Sequence, residues 1–263
     1  MNARLLHVSD LHVGTHEEPE VERGLARLVE RLEPQLVVAS GDLANRGRRR
    51  ELERGAELLR SLGPPVLAVP GNHDLPYTPV RFVRPWSEFE RVWETTEPMF
   101  SSPELRVVGL NSARPFRQQG GALGGAQLQR ASERLAAAEP GALRVAVLHH
   151  HLVGAPWRAA RKRPVSRRNR VFRALVDAGA DLILAGHIHQ AAVSERHEFE
   201  VVGDETRTAV VAIAAALGRP RPRRLGEARG LHVHEADSEA ILVRTFRWSR
   251  GEWTPAAERR FGR

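Results

Sequence analysis

The sequence predicts an α/β protein, and three observations carry that prediction. Short apolar runs rich in Val and Leu recur at residues 5–8, 36–39, 66–69, 105–110, 145–148 and 182–185, with the length and composition of buried strands. Segments of helical periodicity lie between them. After Gly186 the texture changes to short alternating stretches and turns, so the second half contributes antiparallel strands.

The elements follow in order. The strand at 5–8 leads into Asp10 and His12, and a helix over 20–33 gathers Val21, Leu25, Leu28, Val29 and Leu32 on one face. The strand at 36–39 ends in Gly41-Asp42. A helix over about 48–62 carries the stripe Leu52, Ala56, Leu59 and Leu62, and Gly63-Pro64-Pro65 stops it. The strand at 66–69 opens onto Gly71-Asn72-His73-Asp74. Next come Tyr77, Phe82, Trp86, Phe89, Trp93 and Phe100, of which Trp86, Phe89 and Trp93 have helical spacing. Two expectations stand for residues 75–101: a packed helix face, or a lid that stacks on a base or lines a lipid pocket.

Helices at 125–138 and 169–178 flank the strand at 145–148, which runs into His149-His150-His151. The strand at 182–185 runs into Gly186-His187-Ile188-His189. Residues 199–202, 208–214, 231–234 and 241–248 are expected to form an antiparallel meander within 198–250. The length of 263 residues fits a single domain over 1–263.

Composition narrows the chemistry. With no cysteine there is no disulfide, thiolate metal site or cysteine nucleophile, which is compatible with a reducing cytosol. The first apolar stretch is too short for a signal peptide, and no run approaches the ~18–20 residues of a spanning helix. The expected location is therefore cytoplasmic. The net charge of +8 invites a nucleic-acid partner. Against that, only Lys162 among the 40 basic residues is a lysine, and many arginines alternate with Glu on solvated helix faces. The densest cluster, Arg158, Arg161, Lys162, Arg163, Arg167, Arg168 and Arg170, falls in a loop over 155–170. That loop is either simply solvated or recognises a second phosphate, a nucleic-acid backbone or an anionic membrane surface.

Five loops after strands carry metal-capable side chains, and the carboxyl ends of strands are where α/β sheets place their sites. Two divalent ions ~3.5–4 Å apart can clamp a phosphate if one ligand serves both. Asp42 is the candidate bridge. Asp10 and His12, spaced i, i+2, suit one ion, while His187 and His189 can serve one each. Asn72 offers a neutral oxygen that does not repel phosphate. Such ligands suit Mn, Fe, Zn or Co better than Ca. His7, His16, His197, His232 and His234 are expected to be structural.

The ordered blocks Asp-x-His, Gly-Asp, Gly-Asn-His-Asp, His and Gly-His-x-His resemble the calcineurin-like metallophosphoesterase superfamily, closest to bacterial class III cyclic-nucleotide phosphodiesterase-like members. The resemblance spans Asp10 to His189. It implies a two-sheet β-sandwich flanked by helices, a four-layer αββα fold. It also implies that Asp10, His12, Asp42 and His189 hold one ion and Asp42, Asn72, His149 and His187 the other. The family ligand is the first histidine after the strand, hence His149, with His150 in reserve. His150 and His151 are candidates for substrate contact, the alternative for His151 being that it merely fills the loop. The catalytic histidine maps onto His73, with Asp74 either orienting it or capping the turn. The implied reaction is attack on a small phosphodiester, such as a cyclic nucleotide or glycerophosphodiester, by a hydroxide held by the ions. A phosphomonoesterase, a DNA nuclease and an inactive metal-site scaffold are the alternatives.

Overall fold

Alternation along each strand sorts its side chains between two layers. In β1 (Ala3–Val8), Leu5 enters a core shared with Leu36, Val38, Leu105, Val145 and Leu184, whereas Leu6 and Val8 face helices through Leu25, Leu28 and Leu52. The computed structural model describes residues 3–15, 18–117, 119–153, 162–197, 208–219 and 228–263.

These residues form two six-stranded sheets. The first has the order β12-β11-β10-β1-β2-β3, with β2 (Leu36–Ala39), β3 (Val66–Ala68), β10 (Gly230–Ala236), β11 (Ala240–Ser249) and β12 (Glu252–Gly262). The second has the order β4-β5-β6-β7-β9-β8, with β4 (Met99–Ser101), β5 (Leu105–Leu110), β6 (Leu143–Leu148), β7 (Leu182–Ala185), β8 (Ala192–His197) and β9 (Thr208–Ile213). The sheets pack face to face. Helices α1 (Pro19–Leu32), α2 (Arg49–Arg60) and α3 (Ser87–Trp93) cover the outer face of the first; α4 (Gly125–Ala136) and α5 (Arg168–Asp177) cover the second. The four-layer arrangement implied by the resemblance is the one observed.

Local chemistry sets the helix ends. Helix α1 opens on Pro19 with Glu20 and Glu22 in its first turn, both favourable at the positive end of the helix dipole. It stops at Glu33, whose left-handed backbone returns its N–H to the Val29 carbonyl at 2.8 Å.

The meander expectation is corrected. Strand β9 pairs parallel with β7 and antiparallel with β8 in the second sheet, while β10 and β11 form a hairpin that joins the first sheet beside β1. A partly apolar strand carries no record of which sheet it joins, because period-two alternation is the same in both. Residues 199–202, His16, Arg158 and Arg161 lie outside the described residues. Strand β12 escapes a hydrophobic pattern because it is a mostly exposed edge that accommodates Pro255.

The aromatic segment divides. Phe89 and Trp93 are buried in the helix-side core, with Arg60 over the Trp93 ring at 4.9 Å, as a packed face requires. Tyr77 and Phe82 are exposed. On the inner face of the first sheet, His7, His232 and His234 are fully buried with ring centroids 5.7–6.0 Å apart. His232 Nε2 donates to the Ile213 carbonyl at 3.0 Å, so its Nδ1 accepts from the Thr245 hydroxyl, also at 3.0 Å.

Candidate metal centre

Strands β1, β2, β3, β6 and β7 end side by side, and the loops that leave them bring the predicted residues together. Asp10, His12, Asp42 and His189 form one group of potential ligand atoms lying within 4.8 Å of one another. Asp42, His149 and His187 form a second within the same limit. Asp42 belongs to both.

The carboxylate oxygens divide their work. Asp10 Oδ2 accepts from the Ser9 hydroxyl at 2.7 Å and the His187 amide at 2.9 Å, which leaves Oδ1 without a hydrogen bond of its own, 3.1 Å from His189 Nε2. Asp42 Oδ1 accepts the His73 amide at 2.7 Å, and Oδ2 is left over. That Oδ2 lies 3.9 Å from His12 Nε2 and 3.3 Å from His149 Nε2, so a single oxygen with two lone pairs faces both groups. Asn72 Oδ1 is likewise buried and unpartnered. Three orphaned acceptors in one pocket are costly unless a cation satisfies them.

The histidine nitrogens say the same. His12 Nε2 and His189 Nε2 face each other at 3.2 Å, as do His187 Nδ1 and His149 Nε2. Main-chain carbonyls fix which nitrogen points inward. Ser40 O takes His149 Nδ1–H at 2.8 Å, and Gln119 O takes His187 Nε2–H at 3.2 Å. Such outer hydrogen bonds set tautomer and orientation in metal sites. Neither carbonyl was singled out from the sequence, since every residue has one.

Electrostatics favour a cation here. Burial opposes ionisation of Asp10, yet His189, His149 and His12 hold its carboxyl well below the usual range. Asp42 is held low against burial chiefly by His149 and His73. With only a proton to supply positive charge, His149 carries it: burial resists, but Asp42 and Asp10 push it up to about 9. Burial depresses His12 to about 3, a neutral ring with a lone pair to give. These donors fit divalent ions.

The backbone is bent to make the site. Asp10, His12, Asp42, His187 and His189 all have φ between 49° and 73°. Left-handed conformations cost non-glycine residues about 1–2 kcal/mol each and gather where function requires them. The motif glycines admit close backbone passage. A Cβ on Gly71 would overlap the Asp42 carboxylate, and one on Gly186 would overlap the Ser9 hydroxyl.

His73 is half-buried beside His12, with ring centroids 4.8 Å apart. Its Nδ1 donates to the Asn45 carbonyl at 2.9 Å, with the Tyr77 hydroxyl 3.0 Å from the same nitrogen. Nε2 is thereby left as the nitrogen able to exchange a proton.

Of the two roles expected of Asp74, capping the turn is the one its contacts match: its oxygens accept the amides of Ala44 at 2.7 Å and Gly71 at 2.8 Å, pinning two of the loops together. Burial, then the neighbouring Asp42, push its carboxyl up to about 7. His150 and His151 turn into the protein interior. Both rings are fully buried, and His150 Nδ1 accepts the Ser112 hydroxyl at 2.9 Å while its ring packs 4.5 Å from that of His187. His149 belongs to a candidate ligand group, and His150 to neither.

A probable cyclic nucleotide phosphodiesterase from Synechococcus sp. is 29% identical over 166 residues, 57% of this chain and 58% of that one. The glycerophosphodiester phosphodiesterase GpdQ of Enterobacter lignolyticus is 34% identical over 91 residues, 31% of this chain and 33% of that one. The matches thus span less than two thirds of these relatives. Among solved structures, a purple acid phosphatase from yellow lupin superposes with TM-score 0.68 at 13% identity, covering 97% of this chain and 53% of its own. PhoD superposes with TM-score 0.66 at 10% identity, covering 97% of this chain and 72% of its own. At such identities the likeness is one of fold. The calcineurin-like phosphoesterase family matches residues 3–191, a span that holds every strand-end loop described above, and the chain belongs to that family.

Proposed function

We propose that this protein is a phosphodiesterase that hydrolyses a small phosphodiester with two divalent ions, Mn, Fe, Zn or Co. The observation that carries the reading is Asp42 Oδ2, an unpartnered buried oxygen common to both ligand groups. Asp10, His12, Asp42 and His189 would hold one ion, and Asp42, Asn72, His149 and His187 the other. Divalent ions so bound supply Lewis acidity toward the phosphoryl oxygens and acidify coordinated water.

The protein's own residues do the rest. Ser9, Ser40 and Gln119 aim the ligands and hold their tautomers. Asp74 keeps the Asp42 and Asn72 loops in register. His73, its Nδ1–H tied to Asn45, would pass a proton from Nε2 to the departing oxygen when the ring is in its doubly protonated form, returning to the neutral Nδ1–H ring. The names of the two curated relatives favour a diester over a monoester.

Turnover of bis-p-nitrophenyl phosphate against p-nitrophenyl phosphate, after metal removal and readdition of manganese, tests the activity. Elemental analysis gives stoichiometry. We expect two ions per chain, faster diester cleavage, and loss of both ions in Asp42→Ala. Full occupancy in Asp42→Ala would remove the bridge. Preference for the monoester would make the protein a phosphomonoesterase, and inactivity with both ions bound would make it a scaffold.

A further inference from the structure

Three segments border the mouth of the metal centre. Residues 75–87 continue from His73, where the Tyr77 hydroxyl sits 3.0 Å from Nδ1. The segment 111–117 leads toward Gln119, whose carbonyl holds His187. Residues 162–168 lie alongside: the amides of Arg163 and Ser166 donate to Gln119 O at 3.1 Å and Gly121 O at 2.8 Å, and Arg117 Nη1 donates to Ser166 Oγ at 2.6 Å. The tips of the first two segments meet. Phe82 stacks on Phe116 with centroids 5.1 Å apart, and Arg81 Nε donates to the Pro115 carbonyl at 3.1 Å.

These tips are apolar and open. Val83 is 80% and Phe116 82% exposed, with Val80 and Phe82 near one half. Contiguous exposed apolar side chains mark an interaction surface, unlike the scattered ones any protein shows. The charge around them has one sign. Residues 75–87, 111–123 and 162–170 contain no Asp or Glu, while Arg84, Arg117, Arg163 and Arg167 stand exposed. Among the described residues, Arg81 and Arg117 donate to a carbonyl and a hydroxyl, and neither forms an ion pair.

We infer that this rim docks on an anionic lipid surface, with Val80, Phe82, Val83 and Phe116 entering the headgroup layer and the arginines meeting lipid phosphates. The side chains favour lipid over nucleic acid. Val80 and Val83 have no ring to stack on a base, whereas leaving water for the acyl boundary favours them directly. Phe82 and Phe116 already cover one face of each other, where a strand-binding platform presents ring faces to bases. Docking turns the mouth of the metal centre toward the headgroups. It does not depend on hydrolysis, because no rim residue is a proposed ligand.

Sedimentation of the full chain with vesicles of phosphatidylcholine and phosphatidylglycerol, against phosphatidylcholine alone, tests the inference. We expect binding to the mixed vesicles, weakened about fivefold by each of Arg84→Ser, Arg117→Ser and Arg163→Ser. Phe116→Ser should weaken it about tenfold. Each variant should keep its circular dichroism and its hydrolysis of soluble bis-p-nitrophenyl phosphate. No vesicle binding, binding indifferent to both the arginines and Phe116, or tight binding of a DNA duplex in its place would overturn the proposal. Measuring vesicle binding and diester turnover on the same manganese-loaded protein separates the two proposals: docking by loaded protein that cleaves neither ester sinks only the hydrolytic one, and cleavage without docking sinks only the docking.

Discussion

The buried histidines of the first sheet make acid stability a direct test of the structure. Burial lowers His232 from 6.5 to about 4, although its bond to the Ile213 carbonyl pulls the other way. A depressed histidine is neutral when folded and protonated when unfolded throughout the window between those values. The unfolded chain therefore binds more protons, and stability falls as pH falls. Linkage gives a loss of about 2 kcal/mol between pH 7 and pH 5 from His232 alone, rising to about 3 kcal/mol well below pH 4. His232→Gln loses one of the two hydrogen bonds made by the ring, costing about 1 kcal/mol at pH 7. The order should then reverse. At pH 5 the variant should be more stable than the parent by about 1 kcal/mol, because it has no proton to refuse. Urea unfolding of chelator-treated protein at both pH values, followed by circular dichroism, reads the difference. The metal ligands are common to both proteins and cancel, while removing His232 eases the depression of its neighbours His7 and His234 and so shifts the comparison in the same direction. Parallel loss of stability by parent and variant would refute the assignment of His232 as a buried neutral ring.

Two further substitutions probe the site. His73→Ala should keep both ions by elemental analysis yet lose about 10²–10⁴-fold in turnover, as expected for a missing general acid; near-normal turnover would remove His73 from the chemistry. Gly186→Ala should displace the Ser9 hydroxyl from Asp10 and cost about 1–3 kcal/mol in urea unfolding, and Ser9→Gly should restore part of it; an additive double variant would contradict the contact.

The candidate ligands were legible because metal chemistry constrains residue type, spacing and position after a strand together. Asp10, His12, Asp42, Asn72, His149, His187 and His189 all satisfy those constraints at once. The layered fold was legible through the apolar runs and helix stripes. What escaped has a physical reason in each case. Strand β9 could not be assigned to a sheet, since its partners are fixed by tertiary packing. Strand β12 is polar because it is an edge. Adjacency leaves Asp74 between orienting His73 and capping the turn, and only the fold brings its carboxylate to the amides of Ala44 and Gly71. His150 and His151 follow a ligand in sequence yet turn inward, which no local pattern encodes. The orienting carbonyls of Ser40, Asn45 and Gln119 belong to the main chain and leave no side-chain trace.

The seam between the two sheets runs directly under the ligand groups. Asp10, His12, Asp42 and Asn72 leave the first sheet, and His149, His187 and His189 leave the second, so each group draws on both. A cation bound there would therefore act as a rivet through the sandwich, besides serving the proposed reaction. Prying the layers apart would break coordination at both positions together, and any ion held far above its dissociation constant adds to the work of separation. Depleting the metal should consequently loosen the strand ends on both sides of the seam before it disturbs the helices outside them.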